Sequence, residues 1–158
     1  YRYFPSKSAI VEALVTRDLE LLDHDFAQVR ASDCPLQAAR EMFLAQVTET
    51  SGEDCQIWAE IAAASMRKPE IAALAQLMHD RLLQHLMGIF ASVSGIPEPE
   101  VAVRFRAQAK LILLMVKGSN LHRNMTGTAQ KDLVCLLLVV LDRLIADIAA
   151  PIAQPVKG

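Results

Sequence analysis

The residues that could carry out covalent or metal chemistry do not stand at the spacings that such chemistry needs. A helical di-metal site uses a Glu followed three residues later by a His, whereas Glu20 and His24 are four residues apart. The sequence has no nucleophile elbow, P-loop or His-Glu-x-x-His motif. Cys34, Cys55 and Cys135 are far apart and indicate reduced, packed thiols. We therefore expect no enzymatic activity, no cofactor and no metal.

Composition points to a helical protein without a general affinity for nucleic acid. Of the 158 residues, 53% are hydrophobic but only 5% are aromatic, so the core must be built from aliphatic side chains that favour helices. The net charge of -2 provides no basic surface over most of the chain. The longest apolar run, 133–141, is too short to cross a bilayer, so we expect no membrane partner and a cytoplasmic location.

Hydrophobic periodicity, together with the positions of capping residues, prolines and glycines, predicts an all-α fold with six helices and no strand pair. Ser6 is placed to cap the first helix, and Pro35 and Pro69 suit the first turns of two others. A loop is expected at SGIPEPE, around residues 94–100. The predicted helices cover 6–30, 35–50, 53–67, 70–94, 99–124 and 129–149.

The last two predicted helices are apolar around most of their circumference, at LILLMV (111–116) and LVCLLLVVL (133–141). An ordinary surface helix has one apolar stripe and one polar face. Either both helices are central in the protomer, or their outer faces meet a second copy in a four-helix dimer interface, which we favour. The predicted dimer contacts are Ala107, Leu111, Leu114, Gly118, Leu121, Leu133, Leu137, Val140, Leu141 and Leu144.

The opening motif YRYFPSK (1–7) resembles the end of the DNA-binding domain in tetracycline-repressor (TetR) family regulators. The stretch IWAEIAAASMRKPEI (57–71) is similar to a pattern in one branch of TetR effector domains. The resemblance implies that residues 1–4 end a helix-turn-helix domain whose remainder is absent. It further implies an effector-binding and dimerisation domain over 5–150, and we expect a flexible tail at 151–158.

The same resemblance implies DNA contacts near the start of the chain. Tyr1 and Tyr3 match positions whose hydroxyls bind backbone phosphates, Lys7 matches a phosphate-binding lysine, and Arg2 is a weaker candidate. Such contacts fit the chemistry, because a phenol or an ammonium group at a helix N-terminus binds phosphate without sequence preference.

The resemblance also implies a cavity for a small, largely apolar effector among the middle helices. The helix at 99–124 offers a face that mixes apolar side chains with Gln, Ser and His at spacings of three or four, as a ligand pocket requires. The methionines could equally be plain core, Trp58 a core anchor, and His122 a surface or interface residue. The predicted effector contacts are Phe26, Phe43, Gln46, Trp58, Ala62, Met78, Leu82, Phe105, Gln108, Ile112, Met115, Ser119 and His122.

Together these features predict a ligand-responsive transcriptional regulator, acting as a repressor. It would bind operator DNA as a homodimer and be released by a small-molecule effector. The alternative is a helical adaptor that uses its apolar helix pair to bind another protein and does not bind DNA.

Overall fold

Six helices form the fold in the computed structural model, which describes residues 6–48, 52–126 and 130–149. No strand occurs within these ranges, so the predicted all-α bundle is confirmed. The observed helix limits lie within about two residues of the predicted ones. The helices are α1 (Lys7–Ala31), α2 (Pro35–Thr48), α3 (Gly52–Ser65), α4 (Pro69–Ser94), α5 (Glu98–Thr126) and α6 (Gln130–Ala149).

The helix boundaries follow from local chemistry. The Ser6 hydroxyl accepts a hydrogen bond from the Ala9 N–H at 3.1 Å, which satisfies one of the unpaired donors at the start of α1. Lys68 is extended before Pro69, and the proline occupies the first position of α4. Gly95 ends α4 with φ of 69°, a left-handed conformation that glycine adopts without a side-chain clash. This residue allows the chain to reverse into α5.

Helix α4 is central to the packing, and it contacts α1, α2, α3, α5 and α6. Phe26 of α1 and Leu86 and Ile89 of α4 are fully buried. Across the reversal at Gly95, Phe90 meets Phe105 edge to face with ring centroids 6.4 Å apart, a favourable arrangement for two aromatic rings. The core is therefore continuous from α1 through α4 to α5.

Helices α5 and α6 each have one buried side and one uncovered side. Ile112 and Leu113 of α5 are in the core, whereas the exposed fraction of Leu114 is 66%. On α6, Leu141 is buried and the exposed fraction of Leu136 is 60%. The two helices are therefore not enclosed by the protomer. We use the term outer face for the exposed apolar residues Val103, Ala107, Leu111, Leu114, Gly118, Leu121, Leu136 and Val139.

Candidate ligand-binding cavity

A narrow apolar cavity lies between α2, α5 and α6. Its volume is about 20 Å³, roughly enough for the centre of one water molecule. Every residue around it is apolar, so the cavity offers no hydrogen bond to a water and is suited to hydrocarbon. The lining residues are Phe43, Leu44, Val47, Ile112, Met115, Val116, Val134, Leu137, Leu138 and Leu141.

Three of the predicted effector contacts, Phe43, Ile112 and Met115, line this cavity. Phe26 and Phe105 are instead packed in the protomer core. The aromatic rings at those two positions are packed between helices and do not line the cavity. Phe43 and Ile112 belong to the same core and also line the cavity, so the cavity is a gap in the core packing.

The side of the predicted pocket that depends on α3 and α4 is not part of the cavity. Trp58 is half-buried on α3, Met78 is buried on α4, and neither lines the cavity. Ala62 is exposed, and Leu82 packs against the main core. These four residues therefore do not share this cavity with Phe43, Ile112 and Met115, because close packing brings α2, α5 and α6 together around it.

The predicted polar contacts are also separate from the cavity lining. Gln108 is half-buried, and its Oε1 atom has no hydrogen-bond partner among the described residues. Ser119 is buried, whereas Gln46 and His122 are exposed. The cavity wall is consequently more apolar than the sequence pattern indicated.

Helix α6 contributes more to the cavity than the sequence indicated. Leu137 lines the cavity, Leu141 belongs to the protomer core, and Leu144 packs against that core, although all three were predicted as dimer contacts. Leu141 is buried and has little surface left for a second copy, whereas Leu137 and Leu144 are half-buried, so their assignment to a dimer interface stays a prediction. Leu133 and Val140 are half-buried. The large apolar residues of α6 that are exposed are Leu136 and Val139.

An ion pair joins α2 to α6 at one end of the cavity, and we call it the clamp. The Nε and Nη2 atoms of Arg40 donate to the two carboxylate oxygens of Asp142, at 2.5 and 3.1 Å. The side chains are 26% and 50% exposed, respectively. The hydrogen bond lowers the pKa of Asp142 and raises that of Arg40. Arg40 lies one helical turn from Leu44, and Asp142 lies one turn from Leu138, so both clamp residues adjoin the cavity wall.

A second polar group joins α1 to α4, and we call it the polar joint. His85 is buried; its Nε2 atom lies 2.6 Å from Asp23 Oδ1, and its Nδ1 atom lies 2.9 Å from Arg30 Nη1. Arginine can only donate, so Nδ1 accepts and the Nε2–H donates to Asp23. Arg81 also contacts Asp23 Oδ1 at 3.1 Å, and Phe26 stacks on the imidazole with ring centroids 4.7 Å apart. These contacts fix the position of α1 on α4.

The residues predicted to bind DNA lie at the start of α1 or before it. Lys7 is the first residue of α1 and is exposed. Tyr1, Arg2 and Tyr3 lie outside the described residues. The hydroxyl of Ser8 is 3.5 Å from Glu70 Oε1, so the start of α1 lies beside the start of α4. Lys7 is therefore at the same end of the bundle as the turn between α3 and α4.

Neither a metal-binding group nor a membrane-spanning helix is present in the described part of the chain. No three His, Cys, Asp or Glu side chains come together there as a metal-binding group. None of the helices there combines the length and the apolar character needed to cross a bilayer.

No family model matches the chain, and no curated protein or solved structure matches it either.

Proposed function

We propose that this chain is the effector-binding and dimerisation body of a TetR-type transcriptional regulator. In this proposal it binds operator DNA as a homodimer in the cytoplasm, represses transcription, and releases DNA when a small apolar molecule binds. The motifs at 1–7 and 57–71 support the proposal, as do the order and lengths of the six helices. The DNA-reading helices would precede Tyr1 in the chain.

The observation that carries the proposal is that α5 is apolar on two opposite sides. Ile112, Met115 and Val116 line the cavity, while Leu111 and Leu114 belong to the outer face. A ligand that widens the cavity must displace α5 or its neighbours, and α5 would carry that displacement to the second copy. A ligand can shift the equilibrium only by the difference between its affinities for the two arrangements.

A second copy is the occupant that the outer face supports best. On α5 its residues follow spacings of four, four, three, four and three, which keep an apolar seam on one side of a helix. Gly118 lies within this seam, and a Cβ atom added there would meet no atom within 4 Å. A glycine that the protomer itself does not need is consistent with close approach of a partner helix.

Analytical ultracentrifugation at micromolar concentration tests the dimer. We expect a dimer for the parent protein and a monomer for Leu114→Glu, because an unpaired carboxylate would be buried in the interface. The control is Leu77→Glu, which changes a similarly exposed leucine on α4 and should leave the dimer intact. A parent protein that is monomeric and binds a different protein through the outer face would favour the adaptor function.

Operator binding is tested with the full-length protein by fluorescence anisotropy, using DNA that flanks its gene, at two salt concentrations. We expect tight, sequence-dependent binding that weakens steeply with salt. Lys7→Ala should weaken binding to all sequences and lower the salt slope by about one unit, because one phosphate contact is lost. An unchanged slope would contradict the role of Lys7, and absence of sequence-dependent binding would contradict the regulator.

A further inference from the structure

We propose that the cavity between α2, α5 and α6 binds the alkyl chain of a medium-chain carboxylate, whose head group pairs with Arg40 in place of Asp142. This inference deepens the proposed function, on which it rests, by assigning a chemical class to the effector. The cavity supplies the apolar part of the site, and the clamp supplies the charged part.

The clamp and the cavity are arranged in line. From Arg40 the cavity wall continues along α2 through Phe43 and Leu44 to Val47. From Asp142 it continues along α6 in the opposite chain direction, through Leu138 to Val134. The step from Arg40 to Val47 corresponds to about 10 Å along the helix axis. An extended chain advances about 1.2 Å per bond, so this length of α2 matches roughly nine bonds. The cavity volume of about 20 Å³ is much smaller than such a chain, so α2, α5 and α6 must separate to admit it.

The side chains that line the cavity determine which kind of ligand tail can bind there. All ten residues around the cavity are apolar, so a polar tail would lose its hydrogen bonds to water without gaining others. Met115 can change rotamer to admit a chain, because its unbranched side chain adapts to irregular spaces. A flexible hydrocarbon therefore suits this space better than a rigid polar ring.

Arg40 selects the class of head group. A guanidinium group binds a carboxylate through two parallel hydrogen bonds, and Asp142 already occupies Arg40 in this way. A ligand carboxylate would accept the same two hydrogen bonds that Asp142 now accepts, so Arg40 would still be paired with a carboxylate. The released Asp142 side chain is half exposed and can be hydrated. A neutral or cationic head group gains no such pair.

Exchange at the clamp would also release α6 from α2. The outer face includes Leu136 and Val139 of α6, which lie within two turns of Asp142. Binding of the carboxylate would therefore change the tether of a helix that belongs to the proposed dimer interface. This connects ligand binding to the spacing of the two copies.

The test is isothermal titration calorimetry of the purified protein with decanoate and decyltrimethylammonium below their micelle concentrations and with decanol below its solubility limit. We expect decanoate to bind at least tenfold more tightly than the other two. Arg40→Gln should reduce decanoate affinity at least tenfold and leave decanol affinity unchanged. Asp142→Asn should tighten decanoate binding several-fold, because the internal competitor for Arg40 is weakened. A purely structural ion pair would not give this gain.

Two further variants locate the site. Val116→Phe fills the cavity and should abolish binding of decanoate and decanol alike. Arg17→Gln removes an exposed arginine that pairs with Asp18 on α1 and should have no effect. Circular dichroism checks that each variant is folded. Equal affinity for decanoate and decanol, no tightening in Asp142→Asn, or unchanged binding in Val116→Phe would overturn the inference.

The outcome is separable from that of the proposed function, because calorimetry needs no DNA. If decanoate binds as expected but never alters operator affinity, the carboxylate site stands and the regulatory function fails. If the full-length protein binds its operator but decanoate does not bind the cavity, the regulator stands and this inference fails.

Discussion

The polar joint and the clamp are both polar contacts between helices, yet they hold their helices in different ways. At the joint, His85 is buried, hydrogen-bonded on both ring nitrogens and stacked on Phe26. At the clamp, one partly exposed ion pair lies beside an incompletely filled cavity. The first arrangement has several independent contacts, whereas the second depends on one pair that a ligand can replace. We therefore expect α1 to remain fixed on α4 while α6 can move relative to α2.

The largest expected effect comes from removing the aromatic ring at the joint. Phe26 is fully buried, so Phe26→Ala should lower the free energy of unfolding by about 4 kcal/mol through lost burial and a new cavity. Urea denaturation provides the measurement. Leu21→Ala, at an exposed position of the same helix, is the control and should change stability by less than about 0.5 kcal/mol. A decrease in the free energy of unfolding below about 2 kcal/mol for Phe26→Ala would contradict tight packing at the joint.

Loss of the imidazole should have the next largest effect. His85→Ala leaves Phe26 without its stacked partner and removes one hydrogen-bond donor from Asp23, so we expect a loss of about 3 kcal/mol. Leu77→Ala changes an exposed residue on α4 away from the joint and should be close to neutral. Urea denaturation measures the free energy of unfolding of His85→Ala and of this control. Equal values for the two variants would remove the distinction between joint and clamp.

The clamp should be much less important for stability. Arg40→Gln breaks an ion pair that is partly exposed and screened by solvent, so we expect a loss of no more than about 1 kcal/mol. Arg17→Gln, which breaks a pair between adjacent residues on α1, is a suitable control. A loss at Arg40 as large as that at His85 would show that α2 and α6 are held as firmly as α1 and α4.

The smallest expected effect is the pH dependence of the clamp. Arg40 lowers the pKa of Asp142 in the folded protein, so the unfolded chain takes up a proton first as the pH falls. The clamp therefore adds to the free energy of unfolding in full above pH 3.8, the ordinary pKa of an aspartate. This stabilisation is lost as the pH falls through the lower pKa that Asp142 has in the folded protein. The stability difference between the parent and Arg40→Gln should narrow there, as urea titrations from pH 6 to 3 can measure. A difference that widens in acid would contradict this assignment.

The helices could be predicted from the sequence because their ends carry local signals. Ser6, Pro69 and Gly95 each act within a few residues of themselves, through capping, a fixed φ angle or a left-handed turn. The orientation of α6 could not be predicted in the same way. The run 133–141 contains no charged side chain, and the residues that mark the outer side, Asp132, Asp142 and Arg143, lie only in the flanking turns, so the run by itself does not separate the inward Leu137 from the outward Leu136.

The two polar contacts were missed for a similar reason. Asp23 and His85 are 62 residues apart, and Arg40 and Asp142 are 102 apart, so no local spacing signals either pair. His85 lies at the edge of the apolar stripe of α4, where a histidine carries no local sign of a buried partner. An aromatic at α1 position 26 and a histidine on α4 become partners only when the two helices pack.

The reversal between α4 and α5 has a consequence for the order of folding. The contact between Phe90 and Phe105 spans only the turn at Gly95, whereas the joint and the clamp close much longer segments of chain. Contacts between residues close in sequence cost less chain entropy and form sooner. We therefore expect α4 and α5 to pair first and α6 to dock on them late, so that stopped-flow measurements find slower refolding for Phe105→Leu and mainly faster unfolding for Ile148→Val.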